Sequence, residues 1–242
     1  MTDVAYVLAI DLGTSGPKVG LVASSGAVLG AEFEPVDLIL LPDGGAEQDP
    51  AAWWQAICAA TGRLIAKDIV PPTAIAAVSV TSQWSGTVAV DSAGNNIGNA
   101  IIWMDSRGAP HIRDLIGGPV RVEGYDPRKL RTWVKLTGGA PSRSGKDPLA
   151  HILYLRSEHP DRYRRTACFL EPKDYINLRL TGKTAASFDS IALHWVTDNT
   201  SPGAVTYSDA LLGMAGLDRS QLPPLLAATD ILGPLRPEAA AE

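Results

Sequence analysis

The sequence predicts an α/β fold built on a mixed β-sheet with helices on both faces. Three apolar runs near the N-terminus are separated only by short turns containing glycine and serine. This spacing predicts three consecutive antiparallel strands over 4–11, 18–23 and 27–33. The segments that follow alternate between helical and strand patterns, which is typical of layered α/β folds. An antiparallel opening is unlike that of a doubly wound nucleotide-binding fold.

Helix boundaries follow from capping residues along the chain. Asp49-Pro50 and Asp147-Pro148 each place a capping side chain before a proline suited to the first helical turn. Gly182 lies where a glycine ends the preceding helix. The helix after Pro50 is expected to bury a face that carries Trp54, Ile57, Cys58, Thr61, Leu64 and Ile65. Further helices are predicted at 107–115, 127–136, 172–180 and 207–214, strands at 74–81, 87–91 and 167–170, a helical or turn-rich segment at 192–197, and an extended tail from 223.

Composition and charge narrow the classes of function. The chain has 242 residues and a formal net charge of −5, which argues against nucleic acid or an anionic membrane as the main partner. No apolar run is long enough for a membrane span or resembles a secretion signal, so a cytoplasmic location is expected. Cys58 and Cys168 are isolated and are expected to be reduced thiols. The histidines show no zinc-ligand spacing.

The turn between the first two predicted strands has unusual chemistry for a hairpin. It combines Gly13, the hydroxyls of Thr14 and Ser15, and the cation Lys18. Such groups suit phosphate oxygens. Asp11 has the charge to hold a hydrated Mg²⁺ carried by a nucleotide. A plain tight turn is the alternative, and the glycine spacing is neither a Walker A motif nor a Rossmann fingerprint.

Two later clusters have the composition of a sugar pocket. One contains Gln83, Trp84 and Ser85, and the other contains Trp103, Asp105 and Arg107. Indole rings pack on the C–H face of a sugar or polyol, while amide, carboxylate and guanidinium groups bind its hydroxyls. Alternatively, the tryptophans are core residues and Arg107 pairs with Asp105 on the surface.

A sugar hydroxyl that attacks a phosphoryl group needs a carboxylate to receive its proton. The downstream candidates are Asp174, Asp189 and Asp198. Asp174 is near a predicted helix start, where it would stabilise the helix dipole, and Asp198 precedes a turn. Asp189 lies at a strand-to-helix junction, where functional side chains often stand. Composition alone does not choose among the three.

Taken in order, these segments resemble the N-terminal half of the FGGY family of carbohydrate kinases. The resemblance covers nearly all of the chain and implies the ribonuclease H-like fold of the actin-like ATPase superfamily. The segments that carry it are Asp11-Leu-Gly-Thr-Ser-Gly-Pro-Lys18, Glu47-Gln-Asp-Pro-Ala-Ala-Trp-Trp54, Ser82-Gln-Trp-Ser-Gly86, Ile102-Trp-Met-Asp-Ser-Arg107, Pro172-Lys-Asp-Tyr-Ile176, Leu180-Thr-Gly182 and Gln221-Leu-Pro-Pro-Leu225.

The resemblance implies a role for each candidate residue. The family transfers a phosphoryl group from MgATP to a sugar or polyol in a cleft between two domains. By position, Asp11 would hold Mg²⁺ or its water, Thr14 and Lys18 would face the phosphates, and Asp189 would be the catalytic base. The sugar pocket would be lined by Gln83, Trp84, Ser85, Trp103 and Asp105.

The resemblance also sets expectations for the whole chain. Residues 1–242 would be the sugar-binding domain, and the family's Gly-rich adenosine site would belong to a C-terminal domain outside this chain. In-line transfer requires both substrates to be held, so little or no kinase activity is expected of this chain alone. A homodimer is compatible with these features, but the sequence does not fix the oligomeric state.

Two departures from the family pattern bear on the acceptor and on the catalytic base, respectively. Xylulokinase-like members have Gly-Gln-Met-His-Gly where this chain has Ser82-Gln-Trp-Ser-Gly86, and the segment after Asp189, Ser190-Ile-Ala-Leu-His-Trp195, is bulkier than usual. Two other functions fit the same features. One is a non-catalytic sugar-binding or sugar-sensing module, and the other is a different actin-like protein, such as an acetate kinase.

Overall fold

The computed structural model describes residues 5–242. Val4, the first residue of the first predicted strand, lies outside this range. The strands are β1 (Tyr6–Gly13), β2 (Gly16–Ala23), β3 (Val28–Phe33), β4 (Ile39–Leu40), β5 (Ala46–Gln48), β6 (Ile75–Ser82), β7 (Val88–Val90), β8 (Ala100–Ile101), β9 (Cys168–Leu170), β10 (Ala186–Ser187), β11 (Thr197–Asp198), β12 (Thr206–Tyr207) and β13 (Leu225–Leu226). The α-helices are α1 (Pro50–Ile65), α2 (Ala109–Ile116), α3 (Pro127–Thr137), α4 (Pro148–Glu158), α5 (Pro160–Arg165), α6 (Pro172–Thr181), α7 (Asp209–Ala215) and α8 (Pro237–Ala241).

A four-stranded mixed sheet organises the first part of the chain. Its strand order is β3-β2-β1-β6; β1 pairs antiparallel with β2 and parallel with β6. The predicted antiparallel opening and the mixed α/β fold are therefore confirmed. The parallel pairing of β1 with β6 requires a crossover, and α1 provides it.

Helix α1 starts and packs as its sequence dictates. The side chain of Asp49 accepts a hydrogen bond from the backbone N–H of Ala51, and Pro50 occupies the first helical position. The buried face differs from the predicted one in one respect. Trp53 is fully buried, whereas Cys58 and Thr61 are only partly buried. The apolar stripe is therefore rotated toward Trp53, whose indole N–H donates to the buried Gln48 side chain.

Both helices that pack on the four-stranded sheet, α1 and α6, lie on the same side of it. Their apolar side chains join the sheet residues Leu8, Ile10 and Leu12 in one buried cluster. On the opposite side of the sheet, Asp11, Lys18 and Thr81 are exposed.

A second buried cluster lies beyond the sheet. Helices α2, α3, α4 and α7 contribute to it, and its largest fully buried side chains include Trp133 and Phe169. The antiparallel pair of β7 and β9 brings residues from both clusters together, because alternate residues of these strands belong to one cluster or the other.

Two sequence predictions for the later part of the chain need correction or refinement. Residues 192–197 form a single 3-10 turn, Ala192–His194, followed by β11. The tail is not extended to its end, because α8 forms there and Ala239 packs against the first cluster. Alanine has the highest helix propensity, which accounts for helix formation in an alanine-rich tail.

Candidate functional site

Three predicted site residues from distant parts of the chain meet in one hydrogen-bonded cluster. The indole N–H of Trp103 donates to the Thr14 hydroxyl over 3.0 Å, and that hydroxyl donates to Oε1 of Gln83, also over 3.0 Å. Residues 69 and 89 positions apart in sequence are therefore in direct contact. The cluster joins the predicted phosphate turn to the predicted sugar pocket.

Gln48 closes this cluster into a ring and was missed by the sequence analysis. Its Oε1 accepts from Nε2 of Gln83 at 2.7 Å, and its own Nε2 donates to the Thr14 carbonyl at 2.8 Å. Gln48 is fully buried, and it also accepts a hydrogen bond from the Trp53 indole. A buried amide with its donors and acceptors engaged is a rigid element. Its signal in the sequence was a polar residue directly before the Asp49-Pro50 helix start.

The turn between β1 and β2 is held by the segment that follows β3. The backbone N–H of Val36 donates to the Ser15 carbonyl, and that of Glu34 donates to the Pro17 carbonyl. Gly16 has φ +139°, and a Cβ there would lie 2.0 Å from the Glu34 carbonyl oxygen. Only glycine permits this close approach, so the turn is preorganised.

Asp11 and Lys18 lie side by side just before and after this turn. They are register partners in the β1–β2 pair, so their side chains share a face. Both side chains are exposed, on the side of the sheet that α1 and α6 leave uncovered. Ser15 is exposed at the tip of the turn. Contact of Asp11, Gly13, Thr14, Ser15 and Lys18 with a nucleotide stays a prediction.

Asp105 and Arg107 are buried rather than lining an open surface. Asp105 is fully buried and accepts hydrogen bonds from the backbone N–H groups of Ala46 and Arg107 and from the Arg107 guanidinium. Arg107 also binds Glu47 at 2.5 Å and stacks over the Tyr154 ring at 4.7 Å. Burial opposes its charge, but the hydrogen bonds to Asp105 and Glu47 dominate and raise the pKa of Arg107. This geometry favours a supporting role over a direct sugar contact for the pair.

The two predicted pocket tryptophans remain accessible. Trp84 is 56% exposed and Trp103 is 43% exposed, although each lies beside a well-anchored residue. Ser85, the residue after Trp84, has a left-handed φ of 64°, and its hydroxyl donates to the Lys146 carbonyl at 2.7 Å. Exposed indoles on a fixed backbone are suited to stacking on a sugar ring.

The structure separates the three candidate bases. Asp174 is buried and accepts a hydrogen bond from Ser190 at 2.7 Å; burial raises its pKa to about 7. Asp198 accepts hydrogen bonds from the backbone N–H and hydroxyl of Thr200, which is the predicted turn-forming role. The hydrogen bonds of both residues therefore explain their presence by structural roles.

Asp189 is exposed and ion-paired with Lys173 at 3.2 Å. Burial alone would raise its pKa, but Ser187 and Lys173 outweigh this effect, and the pKa of Asp189 lies below its usual value. No hydrogen bond joins Asp189 to the Thr14–Gln83–Trp103 cluster within the described residues. The ion-pair partner of Asp189, Lys173, follows Pro172 in the chain, and Pro172 packs against Gly86 in the loop that carries Trp84.

Two general features of residues 5–242 bear on the class of site. No cluster of three or more His, Cys, Asp or Glu side chains in this range is arranged to hold a metal ion. None of the helices in it combines the length and the hydropathy needed to cross a bilayer.

Comparison with known proteins identifies relatives over almost the whole chain. The family model for the "FGGY family of carbohydrate kinases, N-terminal domain" matches residues 6–242. A xylulose kinase from Bacillus subtilis (strain 168) is 28% identical over 248 residues, covering 98% of this chain and 44% of that protein. The chain thus spans less than half the length of this curated relative.

Solved structures show the same fold. The structure of a ligand-bound xylulose kinase from Lactobacillus acidophilus superposes with a TM-score of 0.83 at 22% identity, over 98% of this chain and 45% of that one. A glycerol kinase from Plasmodium falciparum with ADP also has a TM-score of 0.83, at 17% identity, over 98% of this chain and 46% of that one. At these identities the likeness establishes the fold alone.

Proposed function

Because the chain belongs to the FGGY family of carbohydrate kinases, we propose that it is the acceptor-binding half of an ATP-dependent sugar or polyol kinase. The observation that carries this proposal is the ring of hydrogen bonds through Thr14, Gln83 and Gln48, together with the bond from Trp103 to Thr14. This ring ties a turn suited to phosphate to an indole suited to a sugar face. A plain hairpin turn would have no need of such partners.

In the proposed reaction the acceptor binds beside Trp84 and Trp103, with Gln83 as a hydrogen-bonding partner. The terminal phosphate of MgATP would bind at the turn between β1 and β2. There Lys18 would offset the negative charge of the phosphate, and Asp11 would bind the hydrated magnesium ion. Asp189 takes the proton from the attacking hydroxyl. Its lowered pKa keeps it ionised at neutral pH, as a base requires. The buried Asp105–Arg107 pair supports the pocket from behind.

The proposal extends to the setting in which the chain works. Phosphoryl transfer requires the nucleotide to be held as firmly as the acceptor, and we assign the adenosine site to a second domain. On its own the 242-residue chain would bind the acceptor and show little or no turnover. We place this function in the cytoplasm, where ATP is available. A homodimer stays a prediction that light scattering can check.

A non-catalytic sugar-binding module is the second candidate function. It is favoured by one observation, the ion pair between Asp189 and Lys173, which engages the proposed base with a cation. A sensing module would keep the Thr14–Gln83–Trp103 cluster and have no need of a free carboxylate. The two functions share the acceptor pocket and differ in turnover.

Thermal-shift measurements across ketoses, aldoses, alditols and glycerol test the shared part of the proposal. A ligand at 100 times its Kd stabilises a protein by about 2.7 kcal/mol, which is readily detected. The matched control is Trp103→Phe, which keeps an aromatic ring but removes the N–H that Thr14 accepts. A shift in the parent chain that is reduced in this variant supports the pocket; no shift with any polyol contradicts it.

Adding a kinase C-terminal domain then separates the two functions. A kinase half is expected to gain ATP-dependent turnover of the sugar that shifts the melting temperature. A sensing module would bind that sugar equally well and transfer no phosphate. Robust turnover by the 242-residue chain alone would contradict the assignment of the adenosine site to a second domain.

A further inference from the structure

The loop that carries Trp84 is held by a residue that neither the sequence analysis nor the proposed reaction uses. Glu171 precedes α6 and is 2% exposed. Its Oε2 accepts a hydrogen bond from the backbone N–H of Gly86 at 3.0 Å, across 85 residues of sequence. The carboxyl group therefore lies directly behind the Trp84–Gly86 backbone.

Helix capping does not account for this carboxylate. Glu171 occupies the N-cap position of α6, but its side chain makes no capping hydrogen bond. Its second oxygen, Oε1, is buried without a hydrogen-bond partner among the described residues. A buried carboxyl group with an unpartnered oxygen is costly. The hydrogen bond that its Oε2 accepts from Gly86 is the observation that gives it a role.

Two further contacts restrain the same loop. A Cβ on Gly86 would lie 2.6 Å from Cγ of Pro172, the residue after Glu171, so the loop backbone sits tightly on the start of α6. On the other side, the Ser85 hydroxyl binds the Lys146 carbonyl, and Ser85 has a left-handed φ of 64°. This conformation is uncommon for a residue other than glycine and persists only when its surroundings hold it.

We propose that Glu171 is a positioning residue, which fixes the backbone of Ser85 and Gly86 and thereby holds the exposed indole of Trp84 at the acceptor pocket. The identity of the ligand in this inference rests on the proposed function, whereas the positioning of Trp84 by Glu171 rests on the contacts described above. Without the hydrogen bond to Gly86, the left-handed Ser85 loses one of its restraints, and Trp84 no longer has a defined place beside Gln83.

The charged surroundings of Glu171 fit this role. Burial raises its pKa well above the usual value, the backbone N–H of Gly86 opposes this, and the neighbouring Asp174 adds to it. Lys173 acts in the lowering sense and is itself paired with Asp189. Whatever its protonation state, the carboxyl group offers Oε2 as an acceptor to the backbone N–H of Gly86.

Substitutions at Glu171 separate positioning from packing. Glu171→Gln keeps an acceptor oxygen for Gly86, whereas Glu171→Met fills a similar volume without one. Asp174→Asn is the matched control, because it alters another nearby buried carboxyl group, which bonds to Ser190 and, among the described residues, has no hydrogen bond to the loop. The chain is labelled with 5-fluorotryptophan, and the Trp84 resonance is assigned by its loss in Trp84→Phe.

Two measurements give the result. In Glu171→Met we expect the Trp84 fluorine resonance to move or broaden and the Kd for the bound polyol to rise about tenfold. Glu171→Gln and Asp174→Asn should keep the parent resonance and a Kd within about twofold of the parent. An unchanged Trp84 resonance and Kd in a folded Glu171→Met chain would overturn the inference.

The fluorine spectrum keeps this test separate from that of the proposed function. If no polyol binds the parent chain, the proposed function fails, while the position of Trp84 is still measured directly. If Glu171→Met does not fold, Glu171→Asp replaces it, because its shorter side chain withdraws the acceptor from Gly86. A Trp84 resonance unchanged in Glu171→Asp then overturns the inference, and a displaced one supports it.

Discussion

The indole N–H of Trp103 donates a hydrogen bond to the hydroxyl of Thr14 over 3.0 Å. Trp103 follows β8, and Thr14 lies in the turn between β1 and β2, so this bond joins two loops that are far apart in sequence. The two loops carry the residues proposed for the sugar and for the nucleotide phosphate. The bond therefore couples the two halves of the proposed site.

Thr14→Val should weaken acceptor binding while leaving the fold intact. Valine has nearly the same shape but neither accepts from Trp103 nor donates to Gln83. Each lost hydrogen bond is worth about 1 kcal/mol, so we expect the Kd for the polyol to rise about tenfold or more. Isothermal titration measures this. Ser15→Ala, at the exposed tip of the same turn, should change acceptor affinity less than twofold; equal losses in both variants would rule out a specific role for Thr14.

Gly16→Ala should destabilise the chain strongly. Its Cβ would fall 2.0 Å from the Glu34 carbonyl oxygen, so the backbone must move. We expect a loss of about 3 kcal/mol in the free energy of unfolding, measured by urea denaturation. Gly26→Ala is the control, because Gly26 also has a positive φ, +89°, but open space around it. The control should lose only about 1 kcal/mol in the free energy of unfolding. A similar loss in both variants would mean that the positive φ, and not the close Glu34 carbonyl, causes the destabilisation.

Asp174→Asn should stabilise the chain at alkaline pH more than at acidic pH. Burial raises the pKa of Asp174 to about 7, from an ordinary value of 3.8. Between these values the folded state binds the proton more tightly than the unfolded state, so stability from this group falls as pH rises toward 7. The asparagine removes that loss, on the order of 2–4 kcal/mol at pH 8 and much less at pH 4. Urea denaturation at both pH values measures it; a pH-independent difference would contradict the assignment.

His194 should contribute the opposite pH dependence. It is fully buried with both ring nitrogens unpartnered among the described residues, and burial lowers its pKa to about 3. The unfolded state takes up the proton near pH 6.5 and the folded state does not, so stability falls as pH drops from 6.5 toward 3. His194→Leu should flatten this acid limb in unfolding measurements. His159→Gln, which changes an exposed histidine, should leave the limb unchanged.

Asp189→Asn tests the proposed base in the chain completed by a kinase C-terminal domain. Loss of a general base lowers kcat by about 10²–10⁴-fold, and KM for the sugar should change little because Asp189 is not part of the Thr14–Gln83–Trp103 cluster. Steady-state kinetics measure both constants. Asp198→Asn, at a turn-forming aspartate, should retain nearly full turnover. If Asp189→Asn is equally active, the base must be another carboxylate.

The local elements were predictable because their signals are local. The cap at Asp49 and the left-handed glycine Gly182, with φ +73°, depend on neighbouring residues only. Asp147 does precede a helix, but its side chain accepts hydrogen bonds from Ser142 and Trp195 instead of capping it. Apolar runs separated by short turns likewise predicted the opening hairpin. Boundaries differ from the prediction by one or two residues, as is usual where helix and strand ends fray.

The supporting residues of the site were not predictable, because their roles depend on distant partners. Gln48 and Glu171 each precede a helix start, but nothing local shows that each is buried and contacts a loop 34 or 85 residues away. Composition left Asp105 and Arg107 as either sugar-pocket residues or a surface ion pair, and the fold makes them a buried ion pair. Composition identified which segments assemble, and only the packed structure shows which side chains remain free.

Thr14 has one hydroxyl hydrogen, and in this structure Gln83 receives it. A phosphate oxygen arriving at the turn would compete with Gln83 for that hydrogen. If the phosphate took it, the Gln83 oxygen would become free to accept a hydrogen bond from a sugar hydroxyl. Occupancy by nucleotide would then change the affinity for sugar, and thermodynamic reciprocity requires the sugar to change the affinity for nucleotide by the same factor.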